Sequence, residues 1–236
     1  MIITLTDFGD SEYLGVMKGV IATLASNAKV IDLYNHIEPQ NIRQAAWILL
    51  KNYSFFPKKS IFLCVVDPGV GGKRKAIIIK TKNYFFVGPD NGILAPACES
   101  DGIISIHELS TSNAHPTFHG RDVFAVAAAH MEKRRSMGKQ LNTIQALSLC
   151  PKTNVGEIMH SDAFGNIITN LPHKNKPSYI FKINGKSYKL SFCKTYSEGR
   201  NIFLVESSYR TLEITKKNAS AIKSLKVRIG DKVQIL

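Results

Sequence analysis

Nowhere does the chain hold the ~20 consecutive apolar residues needed to cross a bilayer as a helix, so no membrane-spanning helix is expected. Its four cysteines, Cys64, Cys98, Cys150 and Cys193, are widely spaced with no C-x-x-C pair. Neither a zinc knuckle nor a redox motif is therefore indicated, and no metal-ligand spacing is visible elsewhere. The opening residues Met1 to Thr6 carry no basic segment ahead of an apolar one. They read as a first strand rather than an export signal, which makes reduced thiols and a cytoplasmic location the expectation. Internal repeats and low-complexity tracts are missing as well. Acidic residues are scarce: 18 Asp and Glu stand against 31 Lys and Arg, a formal net charge of +13.

The basic excess is uneven, since from Leu171 to the end 14 Lys and Arg face four Asp and Glu. A pI near 9.6 raises the question of a nucleic-acid partner. Yet Lys174, Lys176, Lys182, Lys186, Lys189 and Lys194 are scattered singly among strand-like residues, the pattern of a solvated β surface. Such composition speaks to solubility, and nucleic acid is not the expected partner.

What is present is a chain of 236 residues, 44% hydrophobic, enough to build one large core or two modest ones. Ile2 to Thr6 reads as a strand, Tyr13 to Ala25 as a helix with Leu14, Met17, Val20, Ile21 and Leu24 at helical spacing. Val30 to Leu33 is a second strand, Ile42 to Leu50 a second helix, and Ile61 to Val66 a third strand. This alternation predicts a layered α/β fold with a mainly parallel sheet. Ala76 to Lys80 and Tyr84 to Val87 suggest a hairpin at one side, and Ala-rich Val123 to Met131 a last helix before Arg134-Arg135. From about residue 149 the segments become short and β-like, with Asn184-Gly185 a strong two-residue hairpin signal. A smaller all-β barrel domain over 149–236 is expected to follow an α/β domain over 1–148.

Polar clusters interrupt this framework where loops should be. Val65-Val66-Asp67-Pro68-Gly69-Val70-Gly71-Gly72, with Arg74 beyond it, sets a carboxylate and a guanidinium at the end of a buried-type strand, where open α/β sheets bind ligands. The same segment is also a good local turn. Asp7 ends the first strand as Asp67 ends the third, so both fall on one sheet edge. Gly88-Pro89-Asp90-Asn91-Gly92 reads as a site element or only a turn. In Thr117-Phe118-His119-Gly120-Arg121-Asp122, His119 is a candidate acid or base, while Asp122 could simply cap a helix and Arg121 pair with an aspartate. In the second domain, Asp162-Ala163-Phe164-Gly165-Asn166 supplies a carboxylate, an aromatic face and a carboxamide that suit a nucleoside. The alternative there is a β-bulge with a buried Phe.

Taken in order, Leu5-Thr6-Asp7-Phe8-Gly9, Met17-Lys18-Gly19-Val20-Ile21, the Asp67 segment, Val87-Gly88-Pro89-Asp90-Asn91-Gly92, Thr117 to Asp122 and Phe164-Gly165-Asn166-Ile167-Ile168-Thr169-Asn170 make the chain resemble the S-adenosyl-L-methionine hydroxide adenosyltransferases from end to end. That resemblance implies hydrolysis of S-adenosylmethionine to adenosine and methionine with no cofactor and no metal. It implies an α/β domain followed by a β-barrel, and a homotrimer whose active sites form between subunits. Position by position, it implies a triad of Asp67, Arg74 and His119 and a ribose-binding Asp7. Asp162 falls near the methionine end, and Phe164 and Asn166 on the adenine side. Ser208 and the backbone of Asn218-Ala219-Ser220 fall where the second domain closes on the nucleoside. Between Asp7 and Met17 this chain is one residue shorter than the family pattern, so Asp10, Ser11 and Glu12 are not assigned individually.

The related fluorinase and chlorinase attack the same carbon with halide, but they have tyrosine where this chain has Asp67 and His119, and a carboxylate would repel halide. A basic nucleic-acid-binding protein would use the positive charge but leave the Asp7, Asp67 and Asp162 loops without purpose. For hydrolysis the difficulty is the nucleophile: water must lose a proton during attack. Arg74 would stabilise developing hydroxide, with Asp67 and His119 orienting the water and accepting its proton.

Overall fold

The computed structural model describes residues 1–132 and 138–236, so the Arg134-Arg135 pair lies outside the described residues. The chain divides into two compact units, Met1–Ser148 and Leu149–Leu236.

In the first unit β1 (Ile2–Thr6), α1 (Glu12–Leu24), β2 (Val30–Tyr34), α2 (Ile42–Asn52) and β3 (Ile61–Val65) follow the alternation that the apolar spacing predicts. Next come β4 (Ala76–Thr81), β5 (Phe85–Pro89), α3 (Ala95–Asp101) and β6 (Ile103–Leu109). A π-helical turn, Gly120–Ala125, then runs into α4 (Val126–Glu132), and β7 (Lys139–Leu141) completes the sheet. The strand order is β2-β1-β3-β5-β4-β6-β7. The first four strands of that order run parallel, and β4, β6 and β7 extend the sheet antiparallel.

Every residue of β1 and β3 is buried, as an inner strand covered on both faces requires. Because side chains alternate across a strand, Ile61, Leu63 and Val65 pack with Met17 and Ile21 of α1 and with Phe124 of the π turn. Phe62 turns the other way and stacks on Phe86 at a centroid distance of 5.1 Å. The elements α3, β6 and β7 carry no strong sequence signal. Helix α3 has only seven residues with a proline in its first turn, and β6 starts on the exposed Ile103 and Ile104, its place set by pairing with β4.

The second unit contains β8 (Val155–Ser161), β9 (Ile167–Thr169), β10 (Ser178–Ile183), β11 (Lys186–Ser191), β12 (Ile202–Glu206), β13 (Leu212–Lys216), the one-turn α5 (Ala221–Leu225) and β14 (Lys232–Ile235). The strands form an antiparallel sheet in the order β11-β10-β14-β8-β9-β13-β12. Past the end of β11, Phe192 bridges Leu204 of β12, and Cys193 N donates to Leu204 O at 2.8 Å. The sheet thereby curls into a nearly closed barrel around Phe181, Ile183, Leu204, Ile214 and Val233.

Asn184 and Gly185 both take positive φ, +48° and +79°, as a two-residue hairpin between β10 and β11 demands. Tyr179, Phe181 and Ile183 point inward, whereas the scattered lysines from Lys174 to Lys194 are exposed, the outer face of a half-buried sheet. All four cysteines are free, and burial pushes the thiols of Cys64 and Cys98 upward. No helix among the described residues is long and apolar enough to cross a membrane.

Candidate active site

Strands β1 and β3 lie side by side in parallel register with Thr6 opposite Val65, so the loops beginning at Asp7 and Asp67 leave the sheet at the same edge. Between them opens a cavity of about 770 Å³, lined among others by Asp7, Phe8, Ser11, Tyr13, Gln40, Asp67, Phe118, His119 and Arg121. That volume falls in the ~300–1,000 Å³ range of small-molecule sites, at the strand ends where α/β sheets bind ligands.

Arg74 grips Asp67 from behind the wall. Its Nε donates to Oδ1 at 2.9 Å and Oδ2 at 3.0 Å, and its Nη2 also bonds Oδ2. The two side chains are only 6% and 9% exposed, so each charge offsets the desolvation of the other. Arg74 Nη2 also lies 2.8 Å from His119 Nδ1. A guanidinium can only donate, so Nδ1 is the acceptor and the imidazole proton resides on Nε2. Burial, and then the Arg74 charge, hold the His119 pKa below its ordinary 6.5. A Phe124 ring centroid 5.4 Å from the guanidinium carbon covers the cation.

Backbone geometry holds these loops together. Gly71 has φ +73°, and a Cβ there would run into the Pro116 carbonyl, so only glycine lets the Asp67 loop touch the His119 loop. Asn91 donates from Nδ2 to Val66 O at 2.9 Å, bracing the residue before Asp67, while its Oδ1 accepts from Ile93 N. The Gly88–Gly92 segment is thus a buttress of the site as well as a turn. The helix carrying His119 begins three residues earlier than the Val123 start read from the sequence. Its wide first turn, with His119 at the N-cap, is the kind of π bulge often found at functional positions. Asp122 pairs with Arg121 through Oδ1 at 2.6 Å and Oδ2 at 2.9 Å.

Asp7 accepts from Gln40 N at 2.8 Å. Burial raises its pKa and the nearby Asp67 charge adds to the rise, against the pull of backbone donors. Of the three residues in the shortened loop, Ser11 lines the cavity, and its hydroxyl donates to Phe8 O at 2.6 Å. The Asp10 side chain is 98% exposed, with His36 Nε2 3.7 Å away.

The barrel unit has a cavity of its own, about 620 Å³, lined by Asp162, Phe164, Asn166, Tyr196, Thr215 and the Asn218–Ser220 segment among others. Asp162 is spent within its own turn: Oδ1 accepts from the amides of Phe164 and Asn166, and Oδ2 from the Asn166 carboxamide. Thr215 donates to Asn166 Oδ1 at 2.6 Å, which leaves the carboxamide oriented and nearly buried. Phe164 is 79% exposed, so the reading of a bulge around a buried Phe is overturned. Ser208 is exposed in the β12–β13 turn and is not among the lining residues.

Sequence reasoning missed Glu213, which is 4% exposed on β13 and accepts from Tyr196 Oη at 2.8 Å. Burial raises its pKa, the Asp162 charge raises it further, and the Tyr196 bond opposes both. A carboxylate flanked by Leu212 and Ile214 was the available signal.

Among the described residues no group of three or more His, Cys, Asp or Glu is placed to hold a metal ion. Fold and site together define a small-ligand protein of the α/β-plus-barrel class, with a buried carboxylate–guanidinium–imidazole chain at the strand-end cavity. The chain belongs to the S-adenosyl-L-methionine (SAM) hydroxide adenosyltransferase family, whose N-terminal domain model matches residues 2–141 and whose C-terminal domain model matches residues 156–234. It is 38% identical over 256 residues to the (R)-S-adenosyl-L-methionine hydrolase of Methanocaldococcus jannaschii, covering 100% of this chain and 95% of that protein. It is 31% identical to the protein of the same name from Thermus thermophilus, covering 98% of each. The crystal structure of an uncharacterized conserved protein from Thermotoga maritima superposes with a TM-score of 0.90 at 33% identity, covering 100% of this chain and 99% of that one.

Proposed function

We propose that this protein hydrolyses S-adenosyl-L-methionine to adenosine and L-methionine by attack of water on the ribose C5′ carbon. The observation that carries the reading is the Asp67–Arg74–His119 chain of hydrogen bonds at the wall of a strand-end cavity, in a chain of this family. The C5′–S bond breaks as C5′–O forms, methionine leaves as a neutral thioether, and the water gives up one proton. Because His119 Nδ1 already accepts from Arg74, its Nε2–H orients the water oxygen, and Asp67 accepts the proton. Arg74 holds the Asp67 carboxylate in place and offsets the negative charge building on oxygen. Asp7 takes the ribose hydroxyls.

Asn166 and Phe164 serve the adenine, with Asp162 shaping their turn toward the methionine end, and Ser208 closes over the nucleoside. The working form is a homotrimer in which each site is completed by a neighbouring subunit, acting in the cytoplasm with no cofactor beyond the substrate. Light scattering reads the assembly directly, and a fully active monomer would oppose it.

The deciding experiment is incubation of the purified protein with S-adenosylmethionine and chelator, followed by chromatography. Adenosine and methionine in equal amounts are expected, with no halogenated nucleoside when chloride is added. Absence of adenosine, or its appearance only with a divalent ion, would refute the reading.

A pH profile tests the state of His119. Protonation at Nδ1 would set a cation against Arg74, so activity should hold at neutral pH and fall on acidification. Since the pKa is depressed, the midpoint of that fall in kcat/KM is expected below 6.5. A limb centred at or above 6.5 would show that Arg74 and burial do not depress His119, and no fall on acidification would show that a neutral His119 is not what the reaction needs.

A further inference from the structure

Three aromatic rings meet at the cavity wall: Phe8 directly after Asp7, Tyr13 in the first turn of α1, and Phe118 directly before His119. Their centroids lie 5.6 Å (Phe8–Tyr13), 5.1 Å (Tyr13–Phe118) and 6.2 Å (Phe8–Phe118) apart, each pair edge-to-face. Edge-to-face packing turns ring faces in different directions instead of stacking them against one another. Tyr13 is 46% exposed. Phe118 already carries a cation on its face, the Arg121 guanidinium carbon 5.2 Å from the centroid.

Of the two carboxylates that line the cavity, Asp67 is held by Arg74 and Asp7 accepts the Gln40 amide. A sulfonium carries a diffuse positive charge and no N–H, so it donates no conventional hydrogen bond. An aromatic face is the partner that suits it, as with quaternary ammonium groups.

We propose that Phe8, Tyr13 and Phe118 form a subsite for the sulfonium charge, so that the cavity selects a charged sulfonium nucleoside over the neutral thioether of the same shape. This rests on the reading that the cavity takes S-adenosylmethionine. Placing the subsite one residue from both Asp7 and His119 ties recognition of the leaving group to the ribose and water positions. It also gives product release a cause, since the sulfur loses its charge as the C–S bond breaks and the aromatic contact weakens. For the same reason the contact is worth more to bound substrate than to the transition state, so it governs KM rather than kcat.

The test replaces the ring faces with aliphatic bulk in Tyr13→Leu and Phe8→Leu, with Tyr13→Phe as the conservative variant. KM for S-adenosylmethionine should rise about 5- to 20-fold in the leucine variants, within the range of desolvated cation–π contacts, while kcat holds or rises slightly. The competitive inhibition constant of S-adenosylhomocysteine, which lacks the charge, should change less than about twofold, and Tyr13→Phe should behave as the parent. Equal weakening of both ligands in variants with native circular dichroism, or no weakening of either, overturns the subsite even though the parent hydrolyses S-adenosylmethionine. A parent protein that neither binds nor turns over S-adenosylmethionine would instead overturn the proposed function, and the subsite with it.

Discussion

Arg74→Met should both destabilise the N-terminal unit, by about 3–5 kcal/mol, and abolish turnover. The methionine fills the space but removes every donor that holds Asp67 and His119. Asp67, with a side chain only 6% exposed, would be left as a buried charge without its partner. Its oxygens would lose the donors that hold them in place, and His119 Nδ1 would lose its donor. Denaturant unfolding followed by a probe in the first unit, together with steady-state assays, reads both effects. A variant that keeps parental stability would mean that Arg74 and Asp67 do not depend on each other, and one that keeps turnover would remove Arg74 from the reaction.

Asp67→Asn should lower kcat by about 10²- to 10⁴-fold, the usual worth of a positioned proton acceptor, with little change in KM. Asparagine keeps the shape and one oxygen for Arg74 to bond but cannot accept the proton from water. The loss is therefore felt in the transition state and not in the bound substrate. Steady-state kinetics with chromatographic detection of adenosine separates the two parameters. A variant in which KM rises while kcat persists would assign Asp67 to substrate binding instead.

The two substitutions differ in what their effects depend on. Asp67 and Arg74 are seven residues apart, and the strand-to-turn segment that carries them could be recognised from Ile61 to Arg74 alone. His119 reaches Arg74 across 45 residues, a distance over which no local pattern speaks. Its loop was visible as a polar interruption, but which nitrogen holds the proton follows only from the guanidinium beside Nδ1. Glu213 likewise reads as a strand residue until Tyr196, 17 positions away, is found donating to it. Asp162 was legible as one carboxylate of a polar cluster, but the three hydrogen bonds that engage it come from the geometry of its own turn, which the sequence does not show.

The sequence by itself determined the alternation of strands and helices in the first unit, the β character of the second, the hairpin at Asn184-Gly185 and the loops where chemistry collects. These follow from apolar periodicity and from the backbone preferences of glycine, proline and asparagine, which act over a few residues. Only the tertiary structure decided that β6 and β7 extend the sheet antiparallel beyond the β4–β5 hairpin, and that the helix after His119 opens with a π turn. It alone brought one guanidinium to both a carboxylate and an imidazole, and three rings to one cavity wall. These features are set by burial and by packing between distant segments: the same side chains would be solvated and independent in the unfolded chain, and acquire partners only when the sheet brings its loops to one edge.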